Sequence, residues 1–118
     1  MDPNAPETSL RAARTARAAV IAAAGSIQAA RDSGALSRTI DTTVSEALVL
    51  GLLAQGVHTF LTVLGHGSTE IGEILRIYHQ AGLLRAYGLR SELEASHAAA
   101  ALRWTTGEKA AVVTSIGP

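Results

Sequence analysis

The 118-residue sequence contains no cysteine, which excludes a disulfide framework and any cysteine-ligated zinc or iron–sulfur centre. A cysteine-free chain is compatible with the cytoplasm, and that is the compartment expected. Aromatic residues are few, with one Trp, two Tyr and one Phe, so unpaired bases would find few rings on which to stack. Neither sign of charge is in excess. Ten Lys and Arg balance ten Asp and Glu, so no net field draws the chain towards nucleic acid. No apolar run approaches the roughly 20 residues needed to span a bilayer. Neither nucleic acid nor membrane is an expected partner, and the length leaves room for one domain at most.

Alanine is what the chain has in abundance. Pro3 and Pro6 make residues 1–9 read as a loose leader. From Leu10 to Arg31 the sequence is Ala-rich, carries Arg11, Arg14, Arg17 and Arg31, and has no acid between Glu7 and Asp32. An Arg-rich, acid-poor targeting peptide has that composition. The better reading is a helix, because Leu10, Ala13, Arg17, Val20 and Ile21 recur at helical spacing in a residue type that favours helix. Ser9 is its expected cap and Ser33-Gly34 its stop. Residues 1–42 are thus a leader, an Ala-rich helix and a linker.

After residue 42 the pattern changes. Thr43-Val44-Ser45-Glu46 has capping-box spacing and opens a helix with Val44, Ala47, Leu48 and Leu52 on one face, ending at Gly56. Val57 to Leu64 is an apolar, β-rich run suited to a strand covered on both faces. Gly65-His66-Gly67-Ser68 is a tight turn, with Ser68 or Thr69 capping a helix from Glu70 to Gln80 whose inner stripe is Ile71, Ile74, Leu75 and Tyr78. Leu83 to Gly88 is a second strand. Ser91 caps a helix ending near Thr106-Gly107, and Ala110 to Ile116 is a third strand that runs into Gly117-Pro118. Strand, helix, strand, helix, strand gives an α/β fold, a partial open parallel sheet with flanking helices behind an Ala-rich N-terminal helix. With no covering helix after the third strand, the domain is expected to be completed by further polypeptide.

Glu92 is the carboxylate singled out. It stands at a strand-to-helix junction, and Ala98, Ala99, Ala100 and Leu102 give its helix a close-packing face. A carboxyl held against apolar packing has a raised pKa and can exchange a proton near neutral pH. Glu94 and His97 lie two and five positions later on different faces of that helix, so neither pairs with Glu92 on spacing alone. Gly65, His66 and Gly67 follow a strand, where ligands bind in open sheets, and glycines flanking His66 would allow close approach. The plainer alternative is a turn with a surface histidine. The turn lacks the spacing of a dinucleotide or P-loop motif. The four histidines show no metal-ligand spacing, and no serine sits in a G-x-S-x-G elbow.

Three pieces in order resemble a known family. Ala47-Leu48…Leu52-Leu53…Gln55-Gly56-Val57-His58-Thr59-Phe60 is similar to the opening helix and strand of thiamine-diphosphate-dependent enzymes of the acetolactate synthase and pyruvate oxidase type. Arg90-Ser91-Glu92 followed by Ala95, His97, Ala98 and Ala99 resembles their R-x-E-x-x-A-x-H-A-A segment, and Thr114-Ser115-Ile116-Gly117-Pro118 resembles the strand and turn beyond it. The resemblance covers residues 43–118 and implies an incomplete pyrimidine-binding domain. It makes Glu92 the residue that hydrogen-bonds the aminopyrimidine ring and activates the cofactor. Gly65, His66 and Gly67 would line the cofactor cleft, with His66 and His97 as candidate substrate contacts. The Gly-His-Gly turn looks closest to the branch that hydrolyses a trihydroxycyclohexane-1,2-dione in inositol breakdown. Leu93 and Glu94 depart from the family, where relatives often carry Gln and a small residue.

The resemblance implies carbon–carbon bond making or breaking next to a carbonyl, on a 2-keto acid or a cyclic diketone. The cofactors would be thiamine diphosphate and Mg2+, with the magnesium ligands outside this chain. The implied partner is the rest of the enzyme, or a companion chain, carrying the diphosphate-binding domain in a homo- or hetero-oligomer. Alone, the chain would be inactive. A non-catalytic assembly module, with Glu92 an ordinary exposed charge, is the alternative.

Overall fold

A computed structural model describes residues 5–116. The elements run α1 (Ala5–Ala24), α2 (Ile27–Asp32), α3 (Val44–Ala54), β1 (Thr59–Val63), α4 (Thr69–Gln80), β2 (Arg85–Gly88), α5 (Glu92–Thr106) and β3 (Ala110–Thr114), with a single 3-10 turn at His66–Ser68. The three strands form a parallel sheet in the order β2-β1-β3. The expected mixed α/β class with an open parallel sheet is what forms.

The sheet order fixes where the helices go. The β1-to-β2 and β2-to-β3 crossovers run in opposite directions, so right-handed connections leave α4 and α5 on opposite faces. Packing agrees. Ile74, Leu75 and Tyr78 of α4 join Phe60 and Val49 in the main core, against which Ala86, Ala111 and Val113 pack from the neighbouring strands. Leu61 on the other face of β1 and Ala95 of α5 are buried outside that cluster. The central strand is therefore covered on both sides, and Thr59 through Thr62 are all buried, as suits a mostly apolar, β-branched run.

The N-terminal helix departs from its expected form in three ways. It begins by Ala5, so residues 5–9 are helical and Ser9, whose Oγ donates to the Pro6 carbonyl at 2.9 Å, is not the cap. It does not run on to Ser33, because Gly25 takes a left-handed conformation (φ 85°) and Ser26 starts α2 by accepting from the Ala29 N–H. Glycine reaches that conformation without a Cβ clash, so the chain turns there. Finally, its inward stripe is Arg14, Ala18 and Ile21, while Leu10 stays 40% exposed. Ala18, Ile21 and Ala30 lie in the same core as Val49, Phe60 and Tyr78. The packing thus crosses residue 42 without a break.

Helix α3 is also rotated from expectation. Thr43 caps it, accepting from the Glu46 N–H at 3.3 Å, but the buried residues are Glu46, Val49 and Leu53. Val44 and Leu48 are 88% and 53% exposed. The reason is Glu46, whose buried partners pull its own face inward. The strands are shorter than the apolar runs, since the ends of each run lie past the shared hydrogen-bonding register. The stop at Gly56 is as expected, with φ 79°. Gly117 and Pro118 lie outside the described residues.

Candidate functional site

Parallel strands carry their following loops to one edge, and in open α/β sheets ligands bind at that carboxyl edge, where neighbouring connections diverge. Here the divergence falls between β1 and β3, because β1 leads through α4 to β2 on one side while β3 lies on the other. The loops after β1, β2 and β3 carry Gly65-His66-Gly67, Arg90-Ser91-Glu92 and Ser115-Ile116. Two contacts tie the edge together. The Gly67 N–H donates to Ser115 Oγ at 3.1 Å, and the Leu89 N–H donates to the Thr62 carbonyl at 2.8 Å.

The glycines of the turn serve this closure. A Cβ on Gly65 would stand 2.7 Å from both Cβ and Oγ of Ser115, and one on Gly67 would stand 2.7 Å from Cγ1 of Ile116. The space expected to admit a ligand is thus filled by the loop after β3. Ser68, expected to cap α4, instead closes the turn on itself, accepting from the Gly65 N–H at 3.0 Å and donating to its carbonyl at 3.2 Å. Thr69 Oγ1 donates to the His66 carbonyl, so neither residue caps the helix. The His66 side chain is exposed.

Glu92 is exposed, and its carboxylate makes no hydrogen bond or ion pair among the described residues. The expected apolar enclosure is not present in the single chain. The cause is local. Ser91 caps α5 by accepting from the Glu94 N–H at 3.2 Å, which makes Glu92 the first helical residue and turns Ala95, not Glu92, onto the sheet. Glu94 returns to accept from the Arg90 N–H at 3.2 Å. It stabilises the helix start, where its charge also suits the helix dipole. His97 is exposed too, and about 140° round the helix from Glu92, so the structure does not bring the two together.

A second charged cluster was not anticipated. Glu46, 1% exposed, receives hydrogen bonds from Arg17, Thr42 and Tyr78, the last at 2.8 Å. Arg14, 6% exposed, stands with Nε 3.4 Å from Glu46 and Nη2 2.6 Å from Glu70. That Nε lies within ion-pair range but at an angle that makes no hydrogen bond. Burial works against ionising Glu46, but the hydrogen bonds from Thr42, Arg17 and Tyr78 and the Arg17 charge outweigh it and hold the carboxyl below its ordinary value. Burial and the bond to Glu46 push the Tyr78 hydroxyl well above the usual tyrosine range. The signal was present in the sequence as three arginines on α1 without an acid among them, and one acid inside an apolar helix.

The fit to a thiamine cofactor is partial. An unengaged carboxylate beyond a strand end can accept a hydrogen bond from an aminopyrimidine, and it donates one only in its protonated form. No three His, Asp or Glu side chains among the described residues come together as a metal site. No helix among the described residues is long and apolar enough to cross a membrane. No protein-family model matches the chain, and no curated protein or solved structure matches it significantly.

Proposed function

We propose that the chain is the pyrimidine-binding portion of a thiamine-diphosphate-dependent enzyme that makes or breaks a carbon–carbon bond next to a carbonyl. The observation that carries this reading is the position of Glu92. It opens α5 at the carboxyl edge of a parallel sheet, beside the β1–β3 divergence, with both carboxylate oxygens free for a ligand. When bound, the cofactor would supply the electron sink for a carbanion next to the substrate carbonyl. Glu92 would hold a proton shared with a ring nitrogen of the aminopyrimidine. Glu92 is exposed, so this role needs a second surface that covers it and removes the solvent.

The same helix offers a place for that surface. Leu93, 67% exposed, and Trp104, 91% exposed, lie eleven residues apart, which is close to three helical turns. They flank exposed His97 and Ala100 on one stripe. A partner seated there would cover Glu92 at the N-terminal end of that stripe. The same exposed stripe, together with the exposure of Glu92 itself, favours the second reading, a non-catalytic assembly module in which α5 binds a partner and Glu92 remains a surface charge.

An NMR titration separates the two. Thiamine diphosphate with magnesium, added to the protein as purified, should shift the amides of Gly65–Ser68 and Ser91–Glu94. Glu92→Gln should abolish the response while leaving the assembly intact. An assembly whose spectra ignore the cofactor, or respond equally with Glu92→Gln, supports the module.

A further inference from the structure

A cleft lies at the end of the sheet opposite Glu92. It has a volume of about 630 Å³, inside the roughly 300–1,000 Å³ common for small-molecule sites. It opens between α2 and the amino-terminal ends of β1 and β2, beside the last turn of α3 and the Gly82–Leu84 turn. Its floor is apolar, built from the buried side chains of Ile21, Leu53 and Leu84. Its rim is polar and basic, with Arg31, His58 and Arg85 exposed along it, and no Asp or Glu lines it among the described residues.

The rim side chains differ in what they already hold. Arg85 leans on Glu108 at 3.5 Å. His58 places Nδ1 3.1 Å from the Leu83 carbonyl, which fixes that nitrogen as the protonated one and leaves the other facing outwards. The Arg31 guanidinium has no hydrogen bond or ion pair among the described residues. The recess that continues past Arg31 adds Arg38 and Asp32, and Asp32 is engaged by Gln28 Nε2 at 2.8 Å. Two arginines against one carboxylate leave one net positive charge at this end, and Arg85 with Glu108 leaves none at the other.

We propose that this cleft binds a small monocarboxylate carried on an apolar body, with the body on the Ile21–Leu53–Leu84 floor and the carboxylate on Arg31. A guanidinium presents paired N–H donors that match a carboxylate, and such charge-assisted bonds are about twice as strong as neutral ones. A single uncompensated charge suits a monoanion better than a phosphate group, which carries close to two charges at neutral pH. The site is independent of Glu92 and of any thiamine chemistry, because it occupies the other end of the strands.

Octanoate and 1-octanol share an apolar body and differ in the head group, which makes them the probes. Titrated into the 15N-labelled chain, octanoate should saturably shift the amides of Gly25, Gln28, Gly56 and Gly82, and 1-octanol should bind at least about tenfold more weakly. Arg31→Ala should lower octanoate affinity by about tenfold and leave that of 1-octanol unchanged. Arg31→Lys should restore part of the loss. The exposed position of Arg31 on a short surface helix keeps the fold intact in both variants, which their amide dispersion verifies. Equal binding of the two probes would overturn the proposal. So would indifference of octanoate to Arg31→Ala, or shifts that map to the Leu93–Trp104 stripe instead of the cleft.

Discussion

Replacing Glu46 by Gln should be among the most damaging single changes to this fold, although the two side chains are nearly the same size. The carboxylate is 1% exposed and is the common partner of Arg14, Arg17, Thr42 and Tyr78. Removing one member of a buried ionic group leaves the others uncompensated, at a cost of about 3–5 kcal/mol. Arg14 keeps Glu70 and the Thr43 hydroxyl, which places the expected loss near the lower end, about 3 kcal/mol. Arg17 keeps the Asp41 carbonyl at 3.4 Å and the neighbouring Tyr78 hydroxyl but has no other carboxylate among the described residues, so most of the loss falls there. In a small domain of about 5–15 kcal/mol total stability, a loss of that size lowers Tm by on the order of 12 °C.

The pH dependence has a defined sign. Glu46 is held below its ordinary carboxyl value in the folded chain. Its contribution is therefore complete above the unfolded pKa of about 4.3 and is lost as pH falls through the lower folded value. Urea denaturation followed by circular dichroism at pH 7 and pH 3.5 checks both parts. The wild-type chain should lose stability between the two, and Glu46→Gln should lose less. In a double-mutant cycle, adding Arg17→Met to Glu46→Gln should recover part of the loss by removing the uncompensated cation. A Glu46→Gln variant within about 0.5 kcal/mol of wild type at pH 7, the range of ordinary surface changes, would refute the reasoning.

Three further outcomes follow from other parts of the molecule. Ile21→Ala should cost about 2–5 kcal/mol in the same denaturation assay, because Ile21 is 1% exposed in the shared core; a neutral change would mean that α1 packs on nothing. Gly65→Ala should destabilise by about 1–3 kcal/mol through its contact with Ser115 Cβ, whereas Gly67→Ala should cost less, since the Ile116 side chain it meets is 85% exposed and free to move. Trp104 is the sole tryptophan and is 91% exposed, so its fluorescence should be red-shifted and readily quenched by iodide in the isolated chain. A blue shift with loss of quenching on mixing with a partner would report coverage of α5.

The sequence carried the sheet and its order of elements well. Three apolar runs separated by amphipathic helices left few topologies open, and the Ser91 cap, the Gly56 stop and the inner stripe of α4 are local signals that tertiary contacts do not override. The faces of α1 and α3 were harder to read. Their periodicity pointed to Leu10 and Ala13, and to Val44 and Leu48, but Arg14 and Glu46 face inward together because each meets a buried partner more than 25 residues away in sequence. Hydrophobic patterning cannot register that pairing, since it treats both residues as surface. At the carboxyl edge, the Gly-His-Gly turn was legible as a place of close approach. What approaches is Ser115 and Ile116 from the same chain, a contact across the sheet that spacing alone does not encode. Glu92 was placed correctly at a strand-to-helix junction, but its exposure follows from being the first residue after a cap, with Ala95 taking the buried position.

The reading of Glu92 as half of a cofactor site can be tested by native mass spectrometry of the protein as purified, with thiamine diphosphate and magnesium present. The account predicts an assembly heavier than the 12.2 kDa chain that retains the cofactor mass, and a Glu92→Gln assembly of the same composition that does not. A bare chain, a simple multiple of it, or an assembly whose mass is indifferent to the cofactor would contradict it.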